Sequence, residues 1–104
     1  MHAFAALADP TRRRIVELLS ERQRSAGEIV DEFDVSAPAI SQHLKALRDA
    51  GLVQVRADAQ RRIYALDPAG LAEIDAWLAR VRRFWSQRLD ALERELRKPA
   101  RRKR

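Results

Sequence analysis

The chain has no cysteine, and its 104 residues include only three glycines and two histidines. Without cysteine there can be no disulfide, thiolate metal site or thiol redox switch. Three scattered glycines make no glycine-rich phosphate loop, and no serine stands in a nucleophile elbow. The two histidines, His2 and His43, never approach the His-x-x-x-His spacing of a metal site. No run of about 18 apolar residues exists to span a membrane. "HAFAALA" near the start lacks a basic leader and is too short for a secretory signal, so the expected location is the cytoplasm. No carboxylates are set in an apolar context as a catalytic pair would be, so an enzyme is not expected.

What the chain does have is 46% apolar and 35% charged residues, the balance of a small folded domain. The net charge of +6 is misleading as a bulk figure. Arg97, Lys98, Arg101, Arg102, Lys103 and Arg104 account for all of it. The informative excess is local. Residues 36–66 hold five bases (Lys45, Arg48, Arg56, Arg61, Arg62) against two acids (Asp49, Asp58), while the segments on either side are slightly acidic.

Helix signals come early. Asp9 and Pro10 open a helix with Ile15, Leu18 and Leu19 on one face. In "SAGEIVDEF", Ser25 and Glu28 form a capping box before Ile29, Val30 and Phe33, with Asp34 and Val35 as the connection to the next helix. That next helix, "SAPAISQHLKALRDAGLV", is capped by Ser36, tolerates Pro38 in its first turn and stops at Gly51. Its apolar line is Ile40, Leu44 and Leu47. Two short helices joined in this way make a helix-turn-helix whose second member lies in the DNA major groove. "LVQVRA" and "RRIYAL" then read as two strands, joined around "DAQ" by a looser connection than a tight hairpin, because glycine and asparagine are missing there. Asp67 and Pro68 begin a long final helix with Gly70 as a weak spot. Its stripe is Leu71, Ile74, Leu78, Val81, Trp85, Leu92 and Leu96, nearly a heptad line.

The blocks "ALADPTRRRIVELL", "SAPAISQHLKALRDAGLV" and "RRIYAL" together resemble the ArsR family of bacterial winged helix-turn-helix repressors, over roughly residues 3 to 97. The resemblance implies a homodimer, an operator with dyad symmetry and repression by blocking transcription. Within the family the chain is most similar to metal-free members that end in a long tryptophan-bearing helix. It departs from many members in two places. "AGEIVDEF" and "DAWLARVRRFW" lack the cysteines or histidines of metal sensors, and Ala59 and Gln60 stand where many wings have a glycine.

The expected fold is therefore mainly α with a small β-hairpin wing, dimerising through terminal helices. Residues 1–97 form the domain and residues 98–104 a basic disordered tail, which would add nonspecific DNA affinity or only solubility. The recognition helix runs from about 37 to 50 and the wing from about 53 to 66. Ser41, Gln42 and Lys45 can reach base edges or phosphates, and the small Ala37 and Pro38 allow close approach of the backbone. His43, about 60° from Ile40 around the helix, suits a phosphate contact and the core edge equally. Arg61 and Arg62 suit the flanking minor groove or its phosphates. Arg12, Arg13 and Arg14 read first as partners of Glu17 and nearby acids. The dimer seam is assigned to Leu71, Ile74, Leu78, Val81 and Trp85, with Trp77 and Trp85 read as packing rather than as an effector pocket. No cofactor or metal is expected, double-stranded DNA and a second copy are the partners, and the alternative is a winged-helix protein-interaction module that never touches DNA.

Overall fold

Three caps written into the sequence set the helix starts of the fold. Asp9 accepts from the Arg12 amide at 3.1 Å, with Pro10 as the first residue of its helix. Ser25 and Glu28 close a complete capping box, and Ser36 accepts from the Ala39 amide. The computed structural model describes residues 2–98. In chain order these form α1 (His2–Ala6), α2 (Pro10–Glu21), β1 (Arg24–Ser25), α3 (Ala26–Val30), α4 (Ala37–Asp49), β2 (Val53–Asp58), β3 (Arg61–Leu66) and α5 (Pro68–Arg97). The fold is mainly helical with one small antiparallel sheet, ordered β1-β3-β2. Beyond Lys98 the expected basic tail lies outside the described residues.

Ile15, Leu19, Ile29, Ile40, Leu44, Leu47, Leu52 and Tyr64 close the core of a first unit that ends at Ile74. Each such aliphatic side chain contributes roughly 1.5–3 kcal/mol by leaving water. Leu71 and Ile74, at the start of α5, pack half-buried against this core. From Asp75 onward α5 forms a unit of its own.

Several elements differ from the sequence reading. "HAFAA" is a short helix; alanine favours it, and burial of Ala3 and Ala6 holds it where five isolated residues would not stay helical. α3 ends at Val30, so six residues rather than two separate it from α4. Asp31, Glu32 and Asp34 crowd the negative end of the helix dipole, and the chain leaves in tighter turns, Glu32 bonding to Ile29 and Phe33 to Val30. A third strand, β1, pairs Arg24 with Tyr64 and Ser25 with Ile63. Two residues are too few to show any alternation in sequence.

Arg24 is 7% exposed. Its Nε donates to the Leu18 carbonyl at 3.1 Å, Nη2 reaches Glu21 at 2.8 Å and Nη1 stands 3.7 Å from Glu32. The guanidinium thus ties the end of α2 to the turn after α3, and its buried charge is fully paired.

The wing turn is tight, not loose. Asp58 pairs with Arg61, leaving Ala59 and Gln60 as a two-residue loop. Ala59 takes φ +58°, the sign that a II′ hairpin requires at its first central position and that a glycine adopts freely. The sheet register overrides the local preference of alanine. Ala59→Gly should therefore raise stability by up to about 1 kcal/mol, read as a higher denaturation midpoint with an unchanged m-value.

α4 ends in a complete Schellman motif. Gly51 (φ +77°) donates to Arg48 O and Leu52 to Leu47 O, with Leu47 and Leu52 both buried. Directly above, Gly70 in the first turn of α5 is itself buried. A Cβ there would overlap the Gly51 carbonyl oxygen and stand 2.7 Å from its carbon. Gly70, a weak spot by helix propensity alone, is the residue that lets α5 start against the end of α4.

Candidate nucleic-acid interface

α4 turns Ile40, Leu44 and Leu47 fully into the core, which leaves Pro38, Ser41, Gln42 and Lys45 on the opposite side, all exposed. Ala37 is exposed beside them, so the first turn presents small side chains to whatever approaches. Ser41 and Gln42 make no side-chain hydrogen bond among the described residues and are available to a base edge. Lys45 is engaged: its Nζ lies 2.9 Å from Asp49 Oδ2, one turn further on. That pair is exposed at both ends and is worth little, so a phosphate can displace the carboxylate.

His43 is half-buried and tethered. Arg12 Nε, on α2, donates to its Nδ1 at 3.0 Å. A guanidinium has no acceptor, so Nδ1 is the lone-pair nitrogen and the proton of the neutral ring sits on Nε2. Both uses foreseen for His43 remain open to it: the ring locks α2 to α4, and Nε2–H is a spare donor. The tether also gives Arg12 a role that sequence spacing does not reveal, because α2 and α4 meet only in the fold. Arg14 pairs with Glu17 at 3.4 Å, while Arg13 donates to the Leu7 and Ala8 carbonyls.

Arg61 and Arg62 start β3 at the wing tip, both exposed and in no ion pair among the described residues. Arg56, on the neighbouring strand opposite Ile63, is exposed and unpaired in the same way. It belongs with them as a third cation of the hairpin. Asp58 is the wing's one acid.

The carboxylates nearest the helix starts are structural. The Arg12 amide bond holds the Asp9 carboxyl below its usual range, and the Ser25 amide does the same for Glu28. Both pKa values are lowered in the fold. The stabilisation they provide is therefore present above the unfolded carboxylate range and is lost as pH falls through the folded values. Among the described residues no three or more His, Cys, Asp or Glu side chains gather into a metal-binding group, and no helix is long and apolar enough to cross a membrane.

The five residues assigned to the dimer seam divide into two groups. Leu71 and Ile74 are half-buried against the chain's own core, whereas Leu78, Val81 and Trp85 are 40%, 42% and 59% exposed. Phe84, Leu89, Leu92 and Leu96 are exposed with them on the same helix.

A short helix, a turn and a second helix with a bare polar face, followed by a basic two-stranded hairpin, define a winged helix-turn-helix DNA-binding protein. Residues 9–55 match the family model described as bacterial regulatory protein, arsR family. The HTH-type transcriptional regulator Rv2034 of Mycobacterium tuberculosis is 48% identical over 87 residues, covering 84% of this chain and 78% of that protein. The transcriptional repressor SdpR of Bacillus subtilis is 35% identical over 77 residues, covering 74% of this chain and 86% of that one. Among solved structures, the homodimeric winged helix-turn-helix DNA-binding domain of Mb0332 from Mycobacterium bovis superposes with a TM-score of 0.65 at 28% identity. That match covers 77% of this chain and 74% of the domain. The chain belongs to the ArsR family and is a transcriptional regulator, not an enzyme.

Proposed function

We propose that this regulator is a cytoplasmic homodimeric repressor that binds a palindromic operator, with α4 in the major groove and the wing on the flanking phosphates. One observation carries the reading. The exposed, hydrogen-bonding start of α4 lies in the same chain segment as three unpaired wing arginines, Arg56, Arg61 and Arg62, and acids are nearly absent from it. Ser41 and Gln42 would read base edges, Gln42 bidentate to an adenine. Lys45, the His43 Nε2–H and the wing arginines would hold phosphates and fix the register. Ala37 and Pro38 would let the helix start sit deep in the groove. The homodimeric state and the repressor role also accord with the homodimeric Mb0332 domain and the transcriptional repressor SdpR. No metal takes part in this scheme, since zero cysteines and two distant histidines offer no ligand set.

The test starts from genomic fragments retained by the purified protein, sequenced to yield the operator. Affinity for that operator should fall with salt at a log–log slope of about −0.9 per phosphate neutralised. Gln42→Ala should lose about 1–3 kcal/mol on the preferred site and bind variant sites almost as well. Arg61→Ala should weaken all sequences alike and make the salt slope shallower by about one. A chain that retains no DNA at low salt would instead be the protein-interaction module. A Gln42→Ala variant with undiminished sequence preference would remove that residue from base readout.

A further inference from the structure

We infer that a groove between α3, α4 and β3 is a binding site for a small amphipathic monoanion, and that its occupation releases DNA. The groove encloses about 410 Å³, inside the roughly 300–1,000 Å³ range of small-molecule sites. Val30, Ile40, Leu44 and the ring of Tyr64 line it with apolar surface, and the exposed residues Asp31, Ser41 and Arg62 form its solvent side. There the Arg62 guanidinium makes no ion pair among the described residues, and the Ser41 hydroxyl adds a donor. An apolar recess closed by one uncommitted guanidinium fits a hydrocarbon or aromatic body carrying one carboxylate. Asp31, the acid on the rim, disfavours a second negative charge on the guest.

The position of the groove gives the binding a consequence. Arg62, Ser41 and Ala37 line it and are also assigned to the DNA face. A carboxylate on Arg62 takes the charge that a DNA phosphate would use, and a body lying beside Ser41 and Ala37 obstructs the start of α4. Guest and operator therefore compete for the same atoms, and no conformational relay is needed. This second step rests on the DNA-binding reading above; the binding step does not.

Decanoate is a suitable probe, with decanol as its uncharged counterpart. In amide-resolved NMR titrations of the full chain, decanoate should shift Val30, Ser41 and Tyr64, and decanol should bind about tenfold more weakly or worse. Arg62→Gln should bring decanoate down to the level of decanol. Gly27→Leu gives an independent check: a Cβ at this rim position meets nothing nearer than Ser25 Oγ at 4.0 Å. It adds bulk at the groove mouth and should weaken both probes. Equal binding of the two probes, indifference to both variants, or shifts confined to residues 78–96, where decanoate would be coating the exposed face of α5, would each overturn the site. Operator bound to the wild-type chain should be released as decanoate saturates. Saturation without release would defeat the competitive step. A chain that takes decanoate on these residues but binds no operator would defeat the DNA reading and leave the groove standing.

Discussion

Replacing Gly70 with alanine should cost this protein about 3 kcal/mol or more of stability, although alanine is the better helix former. The obstacle is backbone: the new methyl would lie within the radius of the Gly51 carbonyl oxygen, 2.7 Å from its carbon and 3.2 Å from Leu52 Cα. No rotamer relieves such a contact, and Gly51 cannot easily move. Its positive φ and the Schellman bonds to Arg48 and Leu47 fix it at the end of α4. Overpacking typically costs about 1–3 kcal/mol where side chains can yield, so a clash with main chain belongs at or above the top of that range. In a domain of this size the expected fall in Tm is about 12 °C or more. Gly27→Ala, in α3, is the control. Its added methyl meets only Ser25 Oγ at 4.0 Å, and it should leave Tm unchanged or raise it. A Gly70→Ala variant melting with the parent would show that α5 can start further from α4 than the structure has it.

The largest functional effect should come from Val81→Glu. Leu78, Val81, Trp85, Leu89, Leu92 and Leu96 are all at least 40% exposed along one stretch of α5. A soluble monomer rarely presents so long an apolar line to water. Their spacing repeats every eleven residues, Leu78 to Leu89, Val81 to Leu92 and Trp85 to Leu96. A heptad line would place Arg88 and Glu95 in the seam, whereas the eleven-residue repeat keeps them out. That period suits two helices pairing over a long contact with a shallow right-handed twist rather than a left-handed supercoil. A glutamate at position 81 would enter the middle of this face. Sedimentation should then report a 12 kDa monomer, and operator affinity should fall about 10²–10⁴-fold as the two half-sites lose their linkage. A Val81→Glu chain that stays dimeric with parental affinity would exclude the seam.

Much of this architecture could be read from the sequence because it is written in local chemistry. Asp9, Ser25 and Ser36 are caps by side-chain reach alone, and Ile40, Leu44 and Leu47 declare the buried face of α4 by spacing. The wing strands announce themselves by alternation. What escaped was set by tertiary context. The turn at Ala59 is tight because the register of β2 on β3 demands it, against the preference of alanine. Arg24 looks like any other arginine until the end of α2 and the turn after α3 close around it. Gly70 changes from a defect to a requirement only when the main chain beneath it is known. Of the residues proposed for the DNA interface, the polar start of α4 was evident from composition, whereas the hydrogen bond from Arg12 to His43 joins residues 31 apart that no local pattern connects.

Ser25 belongs to two structures at once. It is the last residue of β1, paired with Ile63 of the wing, and the capping residue of α3, with its own amide bonded to Glu28 at 2.8 Å. Strand and helix therefore share a residue and cannot be opened separately. In native-state hydrogen exchange, the amides of α3 and of the wing base around Ile63 and Tyr64 should exchange as a single cooperative foldon, protected to nearly the same free energy. The wing tip, residues 57–62, held only by the ladder between β2 and β3, should exchange faster and independently. The wing is expected to behave as a firm base that carries a fraying tip.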